Sequence, residues 1–177
     1  MTTTPDSSDL LRYVRDIPDW PTPGVMFRDI TPMLGDPDAF NRCVAALADV
    51  GDGGAVDLVA GIEARGFILA APVAHQIGTG FVPVRKHGKL PYDTLSEAYS
   101  LEYGEAVLEI HVDAVQPGQR VLIVDDVLAT GGTIAATTEL FRRAGAEIVG
   151  VTVLIELLAL AGRDRNPNLE ISSLLAM

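Results

Sequence analysis

Short apolar runs alternate with amphipathic stretches along most of the chain, and turn residues separate them. Val121 to Val124 is a run of strand type between Pro117-Gly118 and Gly131-Gly132, and Ile134 to Arg143 behind it has helical spacing. Asp57-Leu58-Val59-Ala60-Gly61 predicts a second strand, followed by a polar turn and a helix carrying Ile68, Leu69, Ala70, Val73 and Ala74. Phe81 to Val84 predicts a third. Ala106 to Val112 alternates apolar and polar positions, and with Tyr92 to Leu101 it predicts a hairpin that bends at Glu102-Tyr103-Gly104-Glu105. Ala146 to Ile155 reads as a β-branched strand, Gly162 to Asn168 as a loop and Ile171 to Leu175 as a last edge strand. Recurrence of strand, turn and helix predicts an α/β fold, a mainly parallel central sheet with helices on both faces.

The N-terminal part breaks this rhythm. A short helix capped by Ser8 or Ser7 is expected to run to about Asp16, with Leu10, Leu11 and Val14 on one face. Ile17 to Ile30 is too rich in proline for regular structure and too apolar for a solvated linker, so it is expected to lie as a loop against something apolar. A helix from Asp36 or Asp38 to Asp49 and a turn at Gly51-Asp52-Gly53-Gly54 lead into the second strand.

Composition narrows the class. At 177 residues and 48% hydrophobic, the chain has the size of one domain, 1–177, with a sizeable core. A formal net charge of −11 disfavours nucleic-acid binding through bulk electrostatics. An anionic small molecule would need a local cationic cluster, and one exists at Arg85, Lys86 and Lys89. Cys43 is the single cysteine, which excludes an intramolecular disulfide and predicts a buried apolar role. His75, His87 and His111 are scattered and do not suggest a metal site. The polar, acidic N-terminus lacks an apolar leader core, and Glu156 interrupts the longest apolar stretch, Val151 to Gly162. A soluble cytoplasmic protein without a membrane span is therefore expected.

Candidate chemistry gathers where strands end. Asp125 and Asp126 follow the central apolar run, and Ala129-Thr130-Gly131-Gly132-Thr133 leads into the helix. Free N–H groups at a helix N-terminus, close backbone approach at glycine and two threonine hydroxyls suit a phosphate monoester. Paired carboxylates suit sugar hydroxyls or a hydrated cation. No Gly-x-x-x-x-Gly-Lys-Ser/Thr loop occurs, and no Gly-x-Gly-x-x-Gly follows a strand. A ligand with a phosphate at one end and a diol in the middle fits better; a plain βα turn with a solvated acid pair is the alternative. Ligands of open α/β sheets bind beyond the strand carboxyl ends, so Arg65 in Glu63-Ala64-Arg65-Gly66-Phe67 is aimed at the same crevice, and the basic cluster follows the third strand.

Arg120 to Thr133 resembles the phosphoribosyl pyrophosphate (PRPP) motif of the type I phosphoribosyltransferases, and its Asp-Asp form with Ala-Thr-Gly-Gly-Thr is similar to the adenine-using branch of that family. The resemblance implies that Asp125 and Asp126 hold the ribose 2′- and 3′-hydroxyls while Ala129, Thr130, Gly131, Gly132 and Thr133 wrap the 5′-phosphate. It further implies pyrophosphate contacts from Arg65, Arg85, Lys86 and Lys89, some across the interface of a homodimer, with Mg²⁺ entering on PRPP and pyrophosphate. Residues 1–35 become an N-terminal arm and hood that places Met26, Phe27 and Arg28 beside the base, with Leu157 as an aliphatic base contact. Residues 91–112 become a hairpin lid on which Glu102 reaches N7 of the base, so that Glu102 and Arg65 take the catalytic roles. Relatives that use 6-oxopurines carry an aspartate where this chain has Ala129 and stack an aromatic ring from the C-terminal part, whereas Val151 to Met177 contains no Phe, Tyr or Trp. The implied reaction is adenine plus PRPP to AMP plus pyrophosphate, in purine salvage. Its alternatives are a phosphoribosyltransferase for another purine and a catalytically inactive PRPP-binding regulator.

Overall fold

A computed structural model describes residues 7–49, 56–100 and 105–177. Its centre is β7 (Arg120–Leu128), whose residues from Val121 to Asp126 are all buried. Successive side chains of a strand point to opposite faces, so an unbroken apolar run needs cover on both sides. Leu122 and Val124 enter one core with α2 (Pro37–Asp49), which follows the short α1 (Thr31–Gly35), and with α3 (Arg65–Ile77), while Val121 and Ile123 enter a second with α4 (Gly132–Arg143). Cys43 on α2 is fully buried, and burial pushes its thiol up to about 12.

Seven strands form the main sheet. With β3 (Leu58–Ile62), β4 (Gly80–Lys86), β5 (Thr94–Ser100), β6 (Glu105–His111), β8 (Glu147–Glu156) and β9 (Ile171–Ala176), the order is β5-β6-β4-β3-β7-β8-β9. Strands β4, β3, β7, β8 and β9 are mutually parallel, and the hairpin β5-β6 joins antiparallel to β4. The expected mainly parallel sheet with helices on both faces is what forms, and β9 is its edge. Because β3 lies between β4 and β7, the segments that follow these three strands converge at one end of the sheet.

Several expectations need correction. Ser7–Tyr13 is a 3-10 helix, and no helix continues to Asp16. A continued helix would bury Leu10, Leu11 and Val14 as one stripe, yet Leu10 is buried and Leu11 is 51% exposed. The chain instead becomes extended and forms β1 (Arg15–Pro18), which pairs antiparallel with β2 (Met26–Asp29). The segment expected to be irregular is thus a small hairpin, since its prolines, apart from Pro18 at the strand end, fall in the connecting loop. Strands β4 and β7 also run further than their apolar cores: Arg85 and Lys86 lie within β4, and Asp125 and Asp126 lie within β7. The turn at 51–54 and the hairpin bend at 101–104, with Glu102, lie outside the described residues.

Candidate functional site

A cavity of about 430 Å³ opens where β3, β4 and β7 end, lined by Glu63, Ala64, Arg65, Lys86, Asp125, Asp126, Ala129 and Thr133. This is the volume range of small-molecule sites. Ile62, Leu108, Val127 and Tyr99 complete its wall.

Asp125 and Asp126 are 7% and 6% exposed. Burial raises both carboxyls above their ordinary range; the charge of Asp126 adds to the shift at Asp125, and Arg65 opposes it at both. The Asp125 carboxylate accepts a hydrogen bond from the Asp126 N–H at 3.0 Å. Arg65 Nε lies 2.6 Å from Asp126 Oδ2 as an ion pair. That oxygen is buried and has no hydrogen-bond partner of good geometry, so the Arg65 charge is what compensates it in the free protein. Gly66 lets α3 approach this pair: a β-carbon there would stand 2.5 Å from Asp125 Oδ1 and 3.3 Å from the Val124 carbonyl oxygen.

The loop after β7 ends in Gly131, the N-cap of α4, at φ +78°. No side chain caps this helix, which leaves its first-turn N–H groups to an anion. Ala129 and Thr133 reach the cavity, and Thr130, Gly131 and Gly132 complete the loop between them.

The basic cluster is organised by a residue whose role sequence reading missed. Glu63 is largely buried and pairs with Arg85 at 3.3 Å and with the Lys89 ammonium, while the Lys86 N–H donates to it at 3.0 Å. Burial works against its ionisation, but these partners outweigh it and hold the carboxyl below its usual value. Arg85 also donates to the Lys89 carbonyl at 3.0 Å. Lys86 is the member of the cluster that lines the cavity. Behind the cluster, buried Glu109 accepts from the Gly88 N–H at 2.9 Å, sits 2.6 Å from His87 Nδ1 and accepts from Ser96 Oγ at 3.1 Å. The turn between Lys86 and Lys89 is thereby tied to the hairpin.

The β1-β2 hairpin reaches Arg65 through Phe27, whose ring lies 4.8 Å from the Arg65 guanidinium and 4.3 Å from Trp20. Met26 is exposed, Arg28 is ion-paired with Asp16, and Leu157 packs at the margin of the first core. None of these three lines the cavity. Among the described residues, no three His, Cys, Asp or Glu side chains converge as a metal cage. A divalent ion held by one or two carboxylates and the phosphates of a ligand fits the acid pair. Of the other unforeseen residues, Tyr99 shares the alternation that buries Leu95 of β5, and Gly66 was marked only by being a poor helix former in a helix's first turn.

The chain matches the phosphoribosyl transferase domain family over residues 38–175. It is 59% identical over 170 residues to the adenine phosphoribosyltransferase of Thermobifida fusca, covering 96% of this chain and 97% of that one. Its structure is similar to that of adenine phosphoribosyltransferase from Thermoanaerobacter pseudethanolicus, with a TM-score of 0.94, 49% identity and coverage of 97% and 99%. The Saccharomyces cerevisiae enzyme, solved with an imino-altritol bisphosphate and adenine, aligns at a TM-score of 0.92 with 34% identity, covering 98% of this chain and 100% of that one.

Proposed function

The chain belongs to the phosphoribosyl transferase domain family, and on that premise we propose its function: it transfers the 5-phosphoribosyl group of PRPP to N9 of adenine, releasing pyrophosphate and forming AMP. The observation that carries this reading is the single cavity in which a buried acid pair, an uncapped helix N-terminus and the cations Arg65 and Lys86 meet.

In this mechanism Asp125 and Asp126 accept hydrogen bonds from the ribose 2′- and 3′-hydroxyls, and the backbone of Ala129 to Thr133 with the two threonine hydroxyls binds the 5′-phosphate. Arg65, counter-ion of Asp126 in the free protein, exchanges that carboxylate for pyrophosphate, where Lys86, Arg85 and Lys89 join it. Mg²⁺ would be held by the phosphates of PRPP and pyrophosphate next to Asp125 and Asp126, and it would supply neutralisation of the charge that develops on the leaving group. Displacement at the anomeric carbon passes through an oxocarbenium-like state, so the protein acts mainly by positioning, by stabilising the leaving group and by excluding water. Phe27, Met26, Arg28 and Leu157 surround the base once the hood closes. Glu102 exchanges a proton with N7 as N9 attacks, and the 91–112 hairpin closes over the site.

The reading takes 1–177 as one catalytic domain, with 1–35 as arm and hood. It includes a homodimer, checked by light scattering: a dimer is expected at assay concentrations, and monomer alone would remove that part. A cytoplasmic location belongs to it as well, because its phosphorylated substrates are too charged to cross a bilayer unaided. Among the described residues no helix is long and apolar enough to span a membrane. The deciding experiment is an ultraviolet assay of adenine with PRPP and Mg²⁺. AMP is expected, with hypoxanthine and guanine poor substrates; efficient formation of IMP or GMP would refute the base assignment. PRPP binding without turnover would favour a regulator.

A further inference from the structure

The segment between β8 and β9 packs against the loop that follows β7. Its Asn166 is 6% exposed, and Nδ2 donates to the carbonyls of Gly131 and Gly162, both at 3.1 Å. Two amide hydrogens meeting two carbonyl oxygens fix the orientation of the side chain, since a flipped amide would set oxygen against oxygen. The contact leaves no slack: a β-carbon on Gly131 would collide with the Gly162 carbonyl, and one on Gly162 would collide with the Ala129 carbonyl.

Asn166 is itself held in place. Its N–H donates to the Arg163 carbonyl at 2.8 Å. Arg163 makes a two-pronged pair with buried Glu156 at 2.7 Å on each side and donates to the Ile171 carbonyl at 2.6 Å, which anchors the segment to β8 and β9. Ser173 adds a hydrogen bond to the same carboxylate at 2.7 Å. At its other end, the Gly131 carbonyl that accepts from Asn166 also accepts from Ala135 N–H at 3.0 Å in the first turn of α4.

We infer that Asn166 is a positioning residue for the 5′-phosphate: it fixes the Gly131 peptide, and with it the N–H groups opening α4, against the stretch 162–166, which does not line the cavity. The inference rests on the function proposed above and concerns one end of the ligand only. Misplacing a positioned group by a fraction of an ångström to an ångström costs about tenfold to a hundredfold. Ligands that carry the 5′-phosphate should feel this, and pyrophosphate should not.

Asn166→Asp is the sharpest variant, because it keeps the shape and replaces both donors with an acceptor facing two carbonyls. Asn166→Ser, which removes the contact without the repulsion, accompanies it, and thermal melts report whether each folds. AMP, PRPP and pyrophosphate are titrated by calorimetry, and kcat and KM are measured in the direction of AMP formation. For Asn166→Asp the expected result is affinity for AMP and PRPP about tenfold or more weaker, with pyrophosphate affinity and kcat at saturating PRPP within about threefold of the unmodified protein; the serine variant lies between. Unchanged AMP and PRPP affinity would overturn the inference, as would an equal loss for all three ligands, which marks a merely structural role. If Asn166→Asp does not fold, the same two outcomes are read from Asn166→Ser. Failure of the unmodified protein to bind AMP or PRPP would instead overturn the proposed function, so the two failures are distinct.

Discussion

Replacing Asp125 with asparagine should stabilise the free protein while weakening its hold on PRPP. Burial and the adjacent Asp126 charge raise the Asp125 carboxyl, so the folded chain binds more protons than the unfolded one. Stability therefore falls as pH rises from the ordinary aspartate value of ~3.9, and the penalty is complete once pH exceeds the raised value. Arg65 pairs with Asp126 and its charge also acts on Asp125, but its side chain is 38% exposed, so solvent screens much of that compensation. Asparagine keeps an oxygen that can accept the Asp126 N–H now held at 3.0 Å. Exchange of buried charged groups for neutral ones of similar volume is neutral or stabilising by ~1–4 kcal/mol. The new amide needs partners of its own, which places the expectation near ~1 kcal/mol, or ~2–4 °C in Tm for a chain of this size. The liganded state responds oppositely. A hydrogen bond from a ribose hydroxyl to a charged acceptor contributes ~1.5–3 kcal/mol, so its weakening lowers PRPP affinity by about tenfold to a hundredfold. Thermal melts without ligand, run from neutral pH down toward pH ~4, and calorimetric titration with PRPP and Mg²⁺ test both halves. Asp125→Asn should melt higher at neutral pH, and the difference should close as pH approaches the ordinary aspartate value. A variant that melts lower at neutral pH would refute the reasoning that the free fold carries this charge at a loss, and unchanged PRPP affinity would remove the carboxylate from the ribose site.

Other outcomes follow from the proposed function and from the structure. Glu102→Leu should keep fold and PRPP binding but lose ~10²–10⁴-fold in turnover with adenine, and near-normal turnover would remove its acid–base role. Gly131→Ala should destabilise by ~1–3 kcal/mol and weaken PRPP binding at least about tenfold, because Gly131 has φ +78° and a β-carbon would meet Asn166 Nδ2 at 2.6 Å; urea unfolding and PRPP affinity like those of the unmodified protein would contradict this packing. Asp57 accepts from the Arg120 N–H, Nε and Nη2 at 2.8, 3.1 and 3.0 Å, and those bonds hold its carboxyl down at about 2. Its stabilisation is therefore complete above the ordinary aspartate value of ~3.9 and is lost as pH falls through about 2. Asp57→Asn should be less stable at pH 7 by urea unfolding, with the difference narrowing between pH ~4 and ~2; a difference independent of pH would contradict the assignment.

The sequence by itself determined the parts whose signal is local. A short β-branched apolar run bounded by turn residues reads as a strand covered on both faces, so Val121 to Val124 placed β7 at the centre of the sheet, and Asp125, Asp126 and Ala129 to Thr133 fell in order behind it. Periodicity likewise gave α2, α3 and α4. What it could not supply was the identity of partners far apart along the chain. Glu63 becomes the counter-ion of Arg85 and Lys89, and Arg65 that of Asp126, because β3 is hydrogen-bonded between β4 and β7. Strand order leaves no trace in the apolar pattern of any one strand. The expected irregularity of residues 17–30 failed for a related reason: proline composition describes the loop at 19–25, while β1 and β2 exist through their pairing with each other. Asn166 is the clearest case. In the sequence it is one polar residue in a polar loop, and only the close passage of the Gly162 backbone over Gly131 turns its amide into a clamp, because burial of two carbonyls there demands two donors.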